Sequence, residues 1–362
     1  MPDVQEPIRP VRLGPLALES NLVLAPMHGH THLAMRLLCR RFGAALAHTP
    51  MVTPEALLLG DPKAARVLAA GLLRRPVLRS GNGKAAAAKD ESSRFGCEGW
   101  TPADRPLSIQ LLPADPGALA EAVRLIADHG AADTVDLNFA CPSRRTLRSG
   151  RGGAILRQPD LAARLVAAAA GAAHLPVTVK LRTAFGSEGG DAGRAFDVAR
   201  CAEDAGAVAV TLHARSVVQG YSGRADWDAI AEWSARLAVP VFGSGDLRSA
   251  EAILEMLTRT GCAGASVARG ALGAPWIFRQ AIDLARSGTC SPASMAERRL
   301  AVLAHFDGLA EEYGEATAVR LMHKLGSYYA RGLRGAAKAR AAFQAVRSPE
   351  ALRAEVERWF HD

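Results

Sequence analysis

A chain of 362 residues can build one large core with an appendage, or two ordinary domains, and a net charge of +8 with an isoelectric point near 9.5 favours an acidic partner such as nucleic acid. No charge-free apolar run approaches the ~20 residues of a membrane span, and the first residues lack the basic and apolar regions of a signal peptide, so a cytoplasmic protein without membrane contact is expected. The six cysteines (Cys39, Cys97, Cys141, Cys201, Cys262 and Cys290) contain no C-x-x-C pair, which argues against a metal site and a disulfide framework and for a reducing compartment.

After a Pro-rich lead, Asn21 to Ala25 reads as a short strand stopped at Pro26-Met27, and Thr31 is placed to cap a helix with apolar Leu33, Leu37 and Leu38. Seven further apolar runs follow: Ala44–Ala47, Leu107–Leu111, Thr134–Leu137, Pro176–Arg182, Ala207–His213, Val239–Gly243 and Gly264–Ala268. Ala/Leu/Arg helices are expected between them near 116–129, 160–173, 191–205, 226–237 and 248–260, with another near 276–286. Eight βα units predict an α/β chain folded as a (β/α)8 TIM barrel; an open doubly wound sheet is the rival on pattern alone. Polar or ligand-type residues fall at nearly every proposed strand end (Met27, Gln110, Asn138, Lys180, His213, Ser244 to Asp246, Arg269), and in a barrel those ends share one mouth.

Two regions break the repeat. Residues of about 70–105 form a long basic excursion, and after about residue 290 the strand signal gives way to helices near 294–313, 316–331, 335–345 and 349–360. The expected organisation is a barrel over 1–290 carrying the insertion and a small all-helical C-terminal domain over 291–362.

Cys141 follows a strand end and precedes a proline, with Arg144, Arg145, Arg148, Arg151 and Arg157 downstream and no acidic residue from Arg144 to Arg157. A buried structural thiol is the plainer alternative, but guanidinium groups beside a half-open cysteine would tune its ionisation, so a reactive thiol is expected. Lys180 lies in an otherwise apolar strand with Arg182 two residues on, and a core-facing lysine needs an anionic or electron-rich partner; His213 ends its strand in the same layer. The glycine turns Gly243-Ser-Gly-Asp246 and Ala268-Arg-Gly-Ala-Leu-Gly273 follow the last two strands, where barrels commonly hold phosphate, although βα turns use glycine for its backbone freedom too. Arg320 to Arg347 holds basic residues and no acidic one, with Tyr328, Tyr329 and Phe343 interleaved, which suits RNA or a solvated helix face over buried rings.

Taken in order, Leu24-Ala-Pro-Met27, Asn138-x-x-Cys141-Pro142 with its later Gly-Gly-Ala, Lys180-Leu-Arg, His213-x-Arg215, Gln219-Gly-Tyr-Ser-Gly223, Ala225-Asp-Trp227, Gly245-Asp246, Arg269-Gly-Ala-Leu-Gly-x-Pro-Trp-Ile-Phe278 and Gly332-Leu-Arg-Gly-Ala-Ala337 resemble the tRNA-dihydrouridine synthases. The resemblance implies a flavin barrel with a tRNA-binding helical domain, using bound FMN and the reductant NADPH to saturate the C5–C6 bond of selected uridines, with Cys141 as the proton donor. It implies cofactor contacts from Pro26, Met27, His28, Gln110, Asn138, Lys180, His213, Ser244, Gly245, Asp246, Ala268 and Arg269. Contacts to tRNA are expected from Arg144, Arg145, Arg215, Lys324, Arg331 and Arg334, and the chain is expected to act as a monomer. It departs from the family's usual residues at His28 (Ala), Ala140, Ala214 and Ala268 (Gly) and Ser244 (Asn). Two other functions stay open: a flavin-dependent small-molecule enone or pyrimidine oxidoreductase, and a tRNA-binding protein with lapsed reductase activity.

Overall fold

The computed structural model describes residues 6–72, 104–186 and 191–361. Eight parallel strands, β3 (Leu22–Leu24), β4 (Leu46–His48), β5 (Leu107–Leu111), β6 (Thr134–Asn138), β7 (Val177–Arg182), β8 (Ala209–His213), β9 (Val241–Ser244) and β10 (Gly264–Val267), close into a barrel. The last strand pairs with the first, Ala265 opposite Leu22 and Val267 opposite Leu24. That pairing excludes the open sheet: apolar strands of this kind must be covered on both faces, and closure leaves no edge to solvate.

The Pro-rich lead contains structure that its composition hides. A hairpin of β1 (Val11–Leu13) and β2 (Leu16–Leu18) turns at Gly14, with φ of 56°. Its Leu13 and Leu18 pack with Val23, Leu46, Ala209 and Phe242 as a small apolar cluster of their own. These residues lie on the N-terminal halves of the barrel strands, so the hairpin plugs the end opposite the ligand-type side chains.

Helices cover the barrel between strands: α1 (Leu33–Arg41), α2 (Pro54–Leu58), α3 (Pro62–Leu72), α4 (Pro116–Asp128), α5 (Arg144–Arg148), α6 (Pro159–Ala170), α7 (Ala192–Asp204), α8 (Trp227–Arg236), α9 (Ala250–Thr260) and α10 (Ile277–Ser287). The cap of α1 differs from expectation. His32 occupies that position and its Nδ1 accepts from the Met35 N–H at 3.3 Å, while the Thr31 hydroxyl is turned back onto the Met27 backbone. The basic excursion lies, from residue 73 to 103, outside the described residues.

Beyond the barrel run α11 (Met295–Tyr313), α12 (Glu315–Tyr329), α13 (Ala336–Ala345) and α14 (Pro349–Trp359). Buried side chains of these helices, Phe306, Met322 and Phe343 among them, belong to the same apolar cluster as the barrel's outer core. Helix α11 docks on α1: the half-buried Glu312 carboxylate accepts from the Leu33 N–H at 3.0 Å, and a Cβ on Gly308 would stand 2.8 Å from that of Ala34. An acceptor at the exposed amides of a helix N-terminus satisfies groups that the helix itself cannot. The C-terminal helices are thereby held over the first βα loop, on the mouth side. No described helix is long and apolar enough to cross a membrane.

Candidate active site

A cavity of about 450 Å³ opens at the C-terminal ends of the barrel strands. Pro26, Met27 and His28 of the first loop, Gln110, Asn138, Lys180, His213, the Ser244–Asp246 turn and the Ala268–Arg269 turn all line it, as does Cys141. These residues are far apart in the chain and meet because parallel strands in a closed barrel end on one face.

The loop that carries Cys141 is held from beneath by a buried polar network. Asp136 on β6 accepts from Gln110 Nε2 and Thr178 Oγ1, both at 2.7 Å. Gln110 Oε1 then accepts from Asn138 Nδ2 at 2.9 Å, which points Asn138 Oδ1 at the backbone N–H groups of Ala140 and Cys141, at 3.0 and 2.9 Å. Satisfied networks of this kind rigidify what they touch. They also use up most of Gln110: its amide keeps one Nε2 hydrogen for the cavity.

From above, the Gly152-Gly153 pair closes on the same loop. The Gly153 N–H donates to the Cys141 carbonyl at 3.0 Å, and a Cβ on Gly152, whose φ is 57°, would meet that of Cys141 at 2.9 Å. Only glycine combines that backbone region with so close an approach. Arg182 completes the clamp, its Nε donating to the Ala140 carbonyl and its Nη1 to those of Ser216 and Gly220, each at 2.8 Å.

Beside the thiol, the cavity is basic. Burial lowers the Lys180 amine to about 8, with Arg182 adding to the effect and Asp136 opposing it. His213 is pushed down to about 2 by burial and then by Lys180, Arg182, Arg215 and Arg269, so it is a neutral hydrogen-bonding ring at any working pH. Its Nε2 is buried without a hydrogen-bond partner among the described residues, as is Ser266 Oγ in the cavity wall. Buried polar groups seldom go unmet, and an amine starved of water favours an electron-rich partner, so this wall fits a polar, flat ligand with an anionic end.

At that end, Ala268 is free of the positive φ that would have demanded glycine; among the described non-glycine residues, Asp246 alone has one, 59°. The replacement at 268 is therefore unstrained. Arg248 and Arg269 face the same part of the cavity, and Arg269 is lowered by burial and by the neighbouring Arg248 and Arg215.

One expectation is corrected here. Arg215 was placed against tRNA, but its side chain is 1 % exposed and its guanidinium donates to the Ser222 and Gly223 carbonyls and to both Asp246 oxygens, at 2.7 and 2.8 Å. A cation so enclosed braces the fold and does not reach a surface partner. Asp246, in turn, spends its carboxylate on Arg215 and on the Ala225 N–H; burial alone would raise it, and those hydrogen bonds lower it instead. What it offers an anion is the shape of its turn. Trp227 supports that turn, its Nε1 donating to the Gly245 carbonyl at 3.1 Å.

The other basic residues are placed as a surface. Arg144 and Arg145 are exposed on α5 next to the thiol, Lys324 is exposed on α12, and Arg331 and Arg334 are exposed in the turn between α12 and α13. Arg331 stacks over Tyr328 at 4.6 Å, both lining the mouth, and Lys324 Nζ stands 3.1 Å from His30 Nε2. Sequence reasoning left out His30, Tyr221 and Arg248 as site residues. Tyr221 is 60 % exposed at the mouth, with the Arg182 and Arg269 guanidinium groups 5.4 and 5.0 Å from its ring. No periodicity marks a loop tyrosine, so only the folded loop shows where it points.

The sequence model described as dihydrouridine synthase matches residues 23–361. The chain is 32% identical to the tRNA-dihydrouridine synthase B of Pseudomonas aeruginosa, and 32% identical to that of Xanthomonas campestris pv. campestris, over 97% of this chain and 96% of either relative. Among solved structures it is similar to histamine dehydrogenase from Rhizobium sp. 4-9, with a TM-score of 0.54 at 13% identity over 84% of this chain and 51% of that one. A 2-naphthoyl-CoA reductase gives 0.56 at 8% identity, over 77% of this chain and 52% of that one. At such identities the likeness is one of fold.

Proposed function

The chain belongs to the dihydrouridine synthase family, and from that premise we propose that it reduces the C5–C6 double bond of uridines in tRNA, with FMN bound in the barrel mouth, NADPH as the reductant and the Cys141 thiol as proton donor. The observation that carries this reading is the half-buried thiol on the rim of a basic cavity whose wall contains Lys180, His213 and unmet polar atoms. Those residues fit a flavin: Lys180 and His213 would meet the ring, with one Gln110 hydrogen, and Arg269 with the Ser244–Asp246 and Ala268 turns would hold the phosphate. Bound there and reduced, the flavin supplies the hydride for uracil C6.

The protein's own groups do the rest. Asn138, Gly153 and Arg182 fix the Cys141 backbone, so the Sγ–H stays at the rim where a base would enter, and it gives its proton to C5. A uracil must leave its stack to come this deep, and Tyr221 and Tyr328 offer rings at the mouth for it or its neighbours. Arg144, Arg145, Lys324, Arg331 and Arg334 would take phosphates on either side of the opening. A small-molecule reductase leaves that surface without a purpose, and a lapsed enzyme leaves the intact thiol and lysine without one.

Mass mapping of tRNA from cells with and without this gene tests the function. Loss of dihydrouridine at one or more positions, restored by the gene, is the expected result; an unchanged map would remove tRNA as the substrate.

Lys180 gives the site a pH signature. Because burial disfavours its charged form, the amine loses its proton near 8, and an electron-rich or anionic ligand binds the charged form better. Flavin affinity should then be constant below about pH 7.5 and weaken by up to about tenfold per unit above 8. Fluorescence titration of stripped protein at pH 7 and 9.5 measures this, and Lys180→Met should flatten the profile.

A further inference from the structure

We propose that Thr146 and Ser143 form a hydroxyl relay that returns a proton from solvent to Cys141 after each reduction. The inference rests on the reading of Cys141 as proton donor. The Cys141 Sγ–H donates to Thr146 Oγ1 at 3.5 Å, and the Ser143 hydroxyl donates to the same oxygen at 2.7 Å. Thr146 is 6 % exposed, whereas Ser143 is exposed, so the two hydroxyls connect a thiol in the cavity wall to bulk water.

Gly152 packs against the Cys141 Cβ, and Cys141 also lines the cavity, where the base must sit for its C5 to receive a proton. Reprotonation from that side has to wait until the product leaves, whereas Thr146 reaches the sulfur without lining the cavity.

The step balances as proton transfer alone, with no change of oxidation state at sulfur or oxygen. When the thiol protonates C5, its S–H bond breaks, the C–H bond forms and a thiolate remains. The thiolate takes the Thr146 hydroxyl proton as the Thr146 oxygen takes that of Ser143, and Ser143 is replenished from water. The sum is one proton from solvent to sulfur. Transfer in one concerted motion avoids a free alkoxide, which the short Ser143 to Thr146 bond permits.

Ser143 also caps α5, accepting from the Thr146 N–H at 3.2 Å, so a purely structural role for this pair is the competing account. Thr146→Val keeps the shape and the backbone N–H and removes only the hydroxyl. In the flavin-loaded, pre-reduced protein given tRNA from cells lacking the gene, the first turnover starts with a protonated thiol and should slow less than about twofold, while later turnovers slow about tenfold or more. Thr146→Ser should restore them.

Later turnovers at the wild-type rate overturn the relay, and so does an equal slowing of first and later turnovers, which marks a positioning role. If Thr146→Val fails to fold, Ser143→Ala at its exposed site carries the same test. The underlying reading fails separately: it falls if Cys141→Ala completes a first turnover at the wild-type rate.

Discussion

Replacing Cys141 by alanine should lower dihydrouridine formation by about 10²- to 10⁴-fold, the usual contribution of a positioned general acid, while the protein keeps its yellow colour. The two readouts separate because the cavity wall that would hold the flavin is built from other strands. The thiol's one side-chain hydrogen bond among the described residues runs outward to Thr146, and the loop's shape is set by backbone contacts to Asn138, Gly153 and Arg182 that alanine retains. Visible absorption of the purified variant and nucleoside analysis of tRNA treated with it check the result. Wild-type product yield would take Cys141 out of the chemistry; loss of colour would make it a structural residue.

Breaking the Arg215–Asp246 pair should have the largest effect on stability. Asp246→Ala leaves a guanidinium of 1 % exposure without its carboxylate; breaking a fully buried pair from one side costs about 3 to 5 kcal/mol, and the Asp246 side chain is 30 % exposed. We expect about 3, since the Ser222 and Gly223 carbonyls remain as partners. Urea unfolding followed by circular dichroism measures it. Asp246→Asn, which tolerates the positive φ and can still accept a hydrogen bond, should cost less. Arg215→Met combined with Asp246→Ala should cost less than the sum of the two single changes, because no charge is then stranded. Additive costs would show the pair to be uncoupled. Flavin retention should fall along with stability, as this pair shapes the turn at the cavity's anion-binding end.

Periodicity and strand-end chemistry were enough to read most of the barrel from residues alone. Apolar runs of strand length alternating with helical ones left few topologies, and the ligand-type residues at the run ends marked the mouth. The β1–β2 hairpin was not legible, because three-residue strands in a Pro-rich lead carry no alternation to count. The cap of α1 was misread for a related reason: threonine is the commoner cap, and nothing local shows that the Thr31 hydroxyl is drawn to Met27 while the His32 ring turns to Met35.

The thiol, the lysine and the basic surface of the C-terminal helices are properties of residue type and position along the strand, and these the sequence determined. Which of the basic residues face outward is a different kind of fact. Arg145 and Arg215 look alike in a sequence, both in polar stretches after a strand, yet one is exposed and the other is sealed under Asp246. A guanidinium is buried only where carbonyls or a carboxylate converge to replace its water, and here that convergence exists only after the barrel closes. The same holds for Thr146, whose approach to the Cys141 sulfur depends on how a five-residue helix folds back over its own loop.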